Sequence, residues 1–255
     1  MARYLTFQLY GMLAAYGLVA VGEVRLTADH PTRSAVFGLL AACLGIRRDE
    51  EERLAALSSA YALALRVDAP GTPLLDYHTI QTPPERSKRV YRTRADELGG
   101  LLGIDEEPYT VLSRRGYLCD ASFTACLTPT GEAPPYSPDV LAEALRTPRF
   151  TPYLGRKCCP PSLPFNPRVG EHASVEAALA AYPLDAIRFG EDANRPKTCR
   201  VFGDAAAKLE GIIQRTVVRD RTIEHGHRQF AERRQDMAEI PAGRIADKEA
   251  GHVPQ

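Results

Sequence analysis

The chain opens with an alternation. Over Tyr4–Leu9, Leu5, Phe7 and Leu9 fall on one face, the period of a half-buried strand. A glycine-punctuated loop follows, and the pattern then becomes an apolar run from Ala35 to Gly45. That run predicts a helix with Thr32 as N-cap and Gly45 as C-cap. Being apolar nearly all round, the helix is expected to lie buried against a sheet. Asp49–Ser58 predicts a second helix, with acidic residues in its first turn where the helix dipole favours them. Tyr61–Val67 alternates again as a strand, and Asp68–Pro73 holds a Pro-Gly turn.

The pattern breaks at Asp76–Gly116. This stretch is polar, contains Pro83-Pro84 and a run from Arg86 to Arg94 with five basic residues and no acid, and passes Gly99, Gly100 and Gly103 into acidic Asp105–Glu107. A segment of this kind buries little, so it is either a hairpin projecting from the domain or a disordered insertion. Regular structure resumes with a strand at Tyr117–Leu127 and a helix at Ser137–Arg146, with proline at its first position. The order strand, helix, strand, insertion, strand, helix predicts an α+β sandwich of the ferredoxin-like kind. After Arg149 come proline-rich turns, a short helix at Ser174–Ala181, and short strands near Ala186–Phe189 and Arg215–Arg219. From Met237 the chain is polar and expected to fray.

Composition narrows the chemistry. The 255 residues suffice for one large domain or two small ones. Lys plus Arg and Asp plus Glu are 32 each, so any polyanion site must come from local segregation of charge. Cys43, Cys119, Cys126, Cys158, Cys159 and Cys199 have no metal-finger spacing and read as reduced thiols. The apolar stretch Gly11–Gly22, at 12 residues, is too short to span a bilayer and has no basic leader, so a cytoplasmic protein with no membrane partner is expected. There is no phosphate-binding GxxxxGK[ST], no GxSxG elbow and no HExxH helix, and no cofactor or metal is expected.

Four constellations stand out. Arg149–Cys159, RFTPYLGRKCC, surrounds Gly155 with cations and rings. Arg156 and Lys157 can meet phosphate and Tyr153 can stack on a base, or the loop simply caps the sheet with Phe150 and Tyr153 tucked in. Thr32-Arg33-Ser34 at a helix start is either an anion site or plain capping. The Arg86–Arg94 run is either solvated or laid along a phosphate backbone, and Arg114, Arg115 and Tyr117 repeat the basic-aromatic combination. Tyr77, His78 and Thr79 can contact unpaired bases, or His78 can act as a general base on a 2′-hydroxyl. Cys158-Cys159 also admits a nucleophile reading, because basic neighbours lower a thiol pKa.

Taken in order, His30-Pro-Thr-Arg-Ser-Ala, Gly38–Ile46, Asp76-Tyr-His-Thr79, Tyr117–Phe123 and Thr151–Lys157 resemble CasD-type subunits of type I-E CRISPR Cascade complexes, in the RAMP superfamily. The resemblance runs over most of residues 3 to 235. It implies a ferredoxin-like (RRM-like) palm with an inserted projecting thumb hairpin and a small β-rich C-terminal region. The expected divisions are a palm at 1–160 with the thumb inserted near 78–116, an α+β region at 161–236 and a tail at 237–255. It also implies a non-catalytic subunit that binds and caps the 5′ handle of crRNA in antiviral defence. Its partners would be the backbone subunit, the large subunit and other Cascade proteins, with target DNA met only through the assembled complex. Related subunits that cleave repeat RNA keep a metal-independent endoribonuclease as the alternative. Arg33-Ser34, Tyr77-His78-Thr79 and Tyr153–Lys157, with Gly155 and Arg156 among them, are the residues that carry the handle contacts by resemblance. Gln81–Ser113, Cys158-Cys159 and the tail depart from the family wording.

Overall fold

The computed structural model describes residues 2–18, 20, 22–83, 90–97, 109–184, 198–224 and 229–242. Strand β1 spans Ala2–Ala14, twice the length of the alternating stretch. Leu5, Phe7 and Leu9 are buried as expected, but so are Tyr4, Thr6 and Gln8 on the other side. The alternation therefore marks a change of chemistry between two covered faces rather than a dry and a wet one.

A two-residue strand, β2 (Val24–Arg25), precedes helix α1 (Arg33–Leu44). Thr32 accepts a hydrogen bond from the Ala35 amide at 3.3 Å, and Gly45 ends the helix at φ 75°, where a side chain would be strained. Helix α2 (Glu51–Ser59), strand β3 (Tyr61–Ala69) and strand β4 (Thr72–Thr82) follow. Strand β5 (Tyr109–Pro129) returns along β4 and then runs into the sheet. Helix α3 (Pro138–Arg146) is capped by Ser137, β6 is Arg168–His172, and α4 (Val175–Ala181) is capped by Ser174. Strand β7 (Thr198–Asp204), a 3-10 turn (Ala205–Ala207), and strands β8 (Gln214–Glu224) and β9 (Gln229–Pro241) follow.

The fold is mixed α/β around one large, mainly antiparallel sheet in the order β6-β1-β5-β3-β7-β9-β8, with β2 and β4 attached to β5. Helices α1, α2 and α3 cover one face, where Phe7, Leu65, Phe123 and Leu127 meet Phe37, Leu40, Leu57 and Leu141. On the other face Tyr4, Ala64, Cys126 and Val201 meet Val175, Ala178 and Leu179 of α4. Fully buried Arg66 lies under α4. It donates to Asp68 at 2.5 Å, to Thr124 at 3.0 Å and to the Tyr182 carbonyl at 3.3 Å. Burial pushes the Asp68 carboxyl up, against the pull of Arg66.

Two expectations change at the C-terminal end. Residues 237–241, expected to fray, complete β9: Met237 pairs with Phe202 and Gln214, and Ala238 and Ile240 are buried. Pairing with β7, and at Met237 also with β8, satisfies a backbone that polar composition alone assigned to solvent. The stretch read as Arg215–Arg219 lies inside β8, whereas the strand expected near Ala186–Phe189 lies outside the described residues. Among the described residues no helix is long and apolar enough to cross a membrane.

Candidate nucleic-acid interface

Sheet modules that bind single strands do so by stacking bases on an open sheet face. That face is closed here, because α4 and the Arg66–Asp68–Thr124 network fill it. The candidate surface that remains is the margin, where β5 leaves the sheet.

The start of α1 is not such a surface. Arg33 is 8% exposed, and its guanidinium is bonded to Asp204, to the Ser58 carbonyl at 2.5 Å and to the Tyr61 carbonyl at 3.0 Å. Its backbone N–H donates to Asp220 at 2.7 Å, so a carboxylate of β8 already sits where an anion would bind the helix. Arg233 closes the cluster on Asp204 at 2.9 Å and Asp220 at 2.6 Å. Burial pushes Asp204 up and pulls Arg33 down, each opposed by the charge of the other. Ser34 is half-buried, its hydroxyl 3.2 Å from that of Thr32. The sequence signal was sound in chemistry, a cation at a helix start, but its anion is internal.

The remaining candidates gather where the β4–β5 hairpin leaves the domain. β4 pairs with β5 from Thr72↔Cys119 to Thr82↔Tyr109, so the insertion begins as a hairpin. Arg86, Lys88 and Arg89 of the basic run lie outside the described residues, while Arg94 donates to the Gln81 carbonyl at 2.6 Å. Directly paired residues share a face of the ribbon. One face carries Arg25, Arg115 and Asp76, then Tyr117 with Leu74, and Ser113 with His78. The opposite face carries Val24, Arg114 and Tyr77, then Leu112 with Thr79, and Gly116 with Leu75. Tyr77 and His78 are consecutive in a strand and therefore point away from each other.

The loop after Arg149 docks on the first face. Gly155 has φ 84°, and a Cβ there would stand 1.9 Å from the Ala15 carbonyl oxygen. The glycine thus serves a close approach to β1's end, not an approach by a polyanion. Leu154 and Cys159 are the residues tucked in, while Tyr153 is half-buried and Phe150 exposed. Arg156 donates to the Gly116 carbonyl at 3.1 Å and the Arg25 carbonyl at 2.9 Å, and its guanidinium lies 4.7 Å over the Tyr117 ring. Lys157 is exposed beside it. The Tyr117 hydroxyl meets Cys158 Sγ at 3.7 Å, and burial followed by that thiol pushes the phenol up. Burial also pushes the Cys159 thiol to about 12, which takes it out of nucleophilic chemistry at neutral pH.

Comparison with known proteins places this arrangement. Residues 4–241 match the family described as CRISPR-associated protein (Cas_Cas5). The chain is 37% identical over 193 residues to the Escherichia coli (strain K12) protein named CRISPR system Cascade subunit CasD, covering 71% of this chain and 78% of that one. The chain belongs to the Cas5 family and is of the CasD type. Among solved structures, a chain of a CRISPR RNA-guided surveillance complex superposes with a TM-score of 0.66 at 29% identity, over 96% of this chain and 93% of that one. A second, titled as the crystal structure of a Cas protein, gives 0.59 at 27% identity over 96% and 98%.

For this Cas5 family member the Arg156 latch brings the loop Tyr153–Lys157 onto the ribbon face of Arg25, Arg115 and Tyr117, which His78 shares, while Tyr77, Thr79 and Arg114 lie on the opposite face. Arg33-Ser34 stays apart, bound to β7 and β8. Sequence reasoning missed Arg25, whose carbonyl anchors the latch and whose exposed side chain joins the cationic face. A two-residue strand has no period to detect. The only signal was the pair of charges Glu23 and Arg25 on either side of Val24.

Proposed function

We propose that this protein is the non-catalytic RNA-binding subunit of a type I-E Cascade complex, binding and capping the 5′ handle of crRNA and contacting its backbone and large subunits. The observation that carries the reading is the cationic face at the hairpin base. There Arg25 and Arg115 pair across β2 and β5 beside an Arg156–Tyr117 stack, Lys157 follows Arg156 in the loop, and all three cations are exposed or half-exposed. A single-stranded handle offers phosphates to the cations and unstacked bases to the rings. The spacer finds its target by base pairing, so this subunit meets target DNA only within the assembled complex.

The order β6-β1-β5-β3 with antiparallel neighbours, and helices between β1 and β3 and between β5 and β6, supports a ferredoxin-like palm, with β4–β5 as the thumb. The relatives' names place similar chains in a Cascade and in an RNA-guided surveillance complex, which fits antiviral defence in the cytoplasm. The geometry disfavours the ribonuclease alternative. Tyr77 and His78 face opposite sides of the ribbon, and His78 Nε2 lies against the Asp76 carboxylate, so they do not form one acid–base pair around a scissile phosphate.

The test is handle-RNA binding across a salt series, with a cleavage assay in EDTA. Three phosphate-facing cations give a slope of log K on log salt of about −2, and each cation removed flattens it by about 0.7. Arg115→Ala with Lys157→Ala should therefore leave a slope of about −0.7. An unchanged slope removes the face from the argument. Cleavage of repeat RNA that His78→Ala abolishes would install the enzyme reading instead.

A further inference from the structure

The adjacent thiols Cys158-Cys159 lie where the loop meets the ribbon, and the RNA reading gives them no part. Cys158 is exposed and Cys159 buried, with their sulfurs 3.9 Å apart. The backbone that carries them is fixed. The Cys159 amide donates to the Arg156 carbonyl at 2.9 Å, and the Cys159 carbonyl accepts from the Leu154 amide at 2.7 Å. The Tyr117 hydroxyl meets Cys158 Sγ at 3.7 Å, and its ring is held under the Arg156 guanidinium at 4.7 Å. The buried Tyr16 hydroxyl has no hydrogen-bond partner among the described residues, and Cys159 is near enough to add to burial in raising its pKa.

Spacing decides what such a pair can do. A disulfide needs its sulfurs about 2.05 Å apart and its Cα atoms at least about 4.4 Å apart. Neighbouring Cα atoms across a trans peptide are only about 3.8 Å apart, so closing a bond here would strain the chain. Two thiolates on one tetrahedral ion, with metal–sulfur bonds of about 2.3 Å, stand about 3.8 Å apart. The observed 3.9 Å matches chelation, not a bond between the sulfurs. We propose that Cys158 and Cys159 chelate a soft, thiophilic cation such as Cd²⁺ or Zn²⁺, with the Tyr117 hydroxyl donating to the Cys158 thiolate as an outer-shell partner. Each thiol gives up its proton to solvent as its sulfur–metal bond forms, so two protons leave as one dication arrives. The total charge beside Arg156 is therefore unchanged. The burial that keeps the Cys159 thiol from acting as a nucleophile does not prevent this, because coordination deprotonates a thiol outright. Among the described residues no third His, Cys, Asp or Glu completes a cluster with the pair. The ion's remaining positions therefore belong to water or a small thiol, and the site is an open two-sulfur clamp, not a closed structural centre. Its sulfur ligands select soft ions over Mg²⁺ and Ca²⁺, which take oxygen. The site stands independently of the RNA reading.

The test titrates the full-length, fully reduced chain with Cd²⁺ in the absence of oxygen. It follows thiolate-to-metal charge-transfer absorption and counts bound ions by native mass spectrometry. The wild-type chain should bind one ion with that absorption. Cys158→Ser and Cys159→Ser should each weaken binding by at least about tenfold, the loss that removing even an outer-shell partner causes. Tyr117→Phe should keep the absorption while losing roughly tenfold in affinity, and it covers the case in which a cysteine variant melts early. Wild-type Cd²⁺ affinity in both serine variants overturns the proposal. So does an undiminished charge-transfer band in them, which would place the ion on the other cysteines. Ready closure of the pair into a disulfide by oxidised glutathione at a cytosolic poise would overturn it as well, since the spacing argues for a strained, easily reduced bond.

Discussion

Arg33→Ala should lower the melting temperature and leave the RNA salt dependence alone, the opposite of what a phosphate-binding helix start would do. The magnitude follows from the partners. The substitution removes the ion pair to Asp204 and strips a donor from the Ser58 and Tyr61 carbonyls. Breaking a buried ion pair from one side costs about 3–5 kcal/mol. Asp204 would keep Arg233 at 2.9 Å and the Leu63 amide at 3.0 Å, so its charge is not abandoned and the lower end applies. A loss of about 3 kcal/mol corresponds to ~6–12 °C in a chain of this size. The assay is thermal unfolding of Arg33→Ala and wild type, paired with handle-RNA binding at several salt concentrations. A wild-type melting temperature with a flatter salt slope would refute the reasoning and return Arg33 to the RNA.

Gly155→Ala should release the loop, because its Cβ would meet a backbone carbonyl that has nowhere to move and φ 84° already costs an alanine about 1–2 kcal/mol. The Ala15–Leu154 hydrogen bond of 3.0 Å goes with it, and rapid limited proteolysis near the loop is the expected readout; wild-type resistance would sink the close-approach account. Asp204 should give stability a distinctive pH dependence. Burial raises its folded pKa above the ordinary aspartate value, so between those two values the folded chain binds more protons than the unfolded one. Its contribution to stability is therefore larger at the acid end of that window and falls as pH rises through it. The stability difference between wild type and Asp204→Asn, from urea unfolding at a series of pH values, should shrink as pH rises; a difference constant with pH would contradict the burial argument.

How much of this was legible depended on distance along the chain. Helix α1 carried its own signals, with Thr32 capping Ala35 and Gly45 able to take positive φ, and the sequence located both ends. The hairpin was visible as a composition break between strands that each had a period. What failed was the assignment of partners. Thr32-Arg33-Ser34 looks like an anion site because the helix start is a donor-rich end, yet the anion is Asp220, 187 residues away. Gly155 in a basic loop looks like room for phosphate, yet it is room for the Ala15 carbonyl. Tyr77-His78-Thr79 reads as one cluster in sequence, but a strand divides such a triplet between its faces.

The same distinction explains how a chain with no net charge can present a cationic face. Its arginines include internal latches as well as exposed cations. Arg33, Arg66 and Arg233 are spent on Asp204, Asp68 and Asp220 inside the molecule, where their charges cancel. Arg156 spends its guanidinium on two carbonyls and an aromatic ring, holding the loop and the ribbon in one frame. Among the residues around that frame, Arg25, Arg115 and Lys157 are left exposed or half-exposed. In the proposed RNA complex Arg156 would act by position: its loss would scatter the cations around it, whereas the loss of Lys157 would subtract one. Net charge reports neither role, because it counts latches and free cations alike.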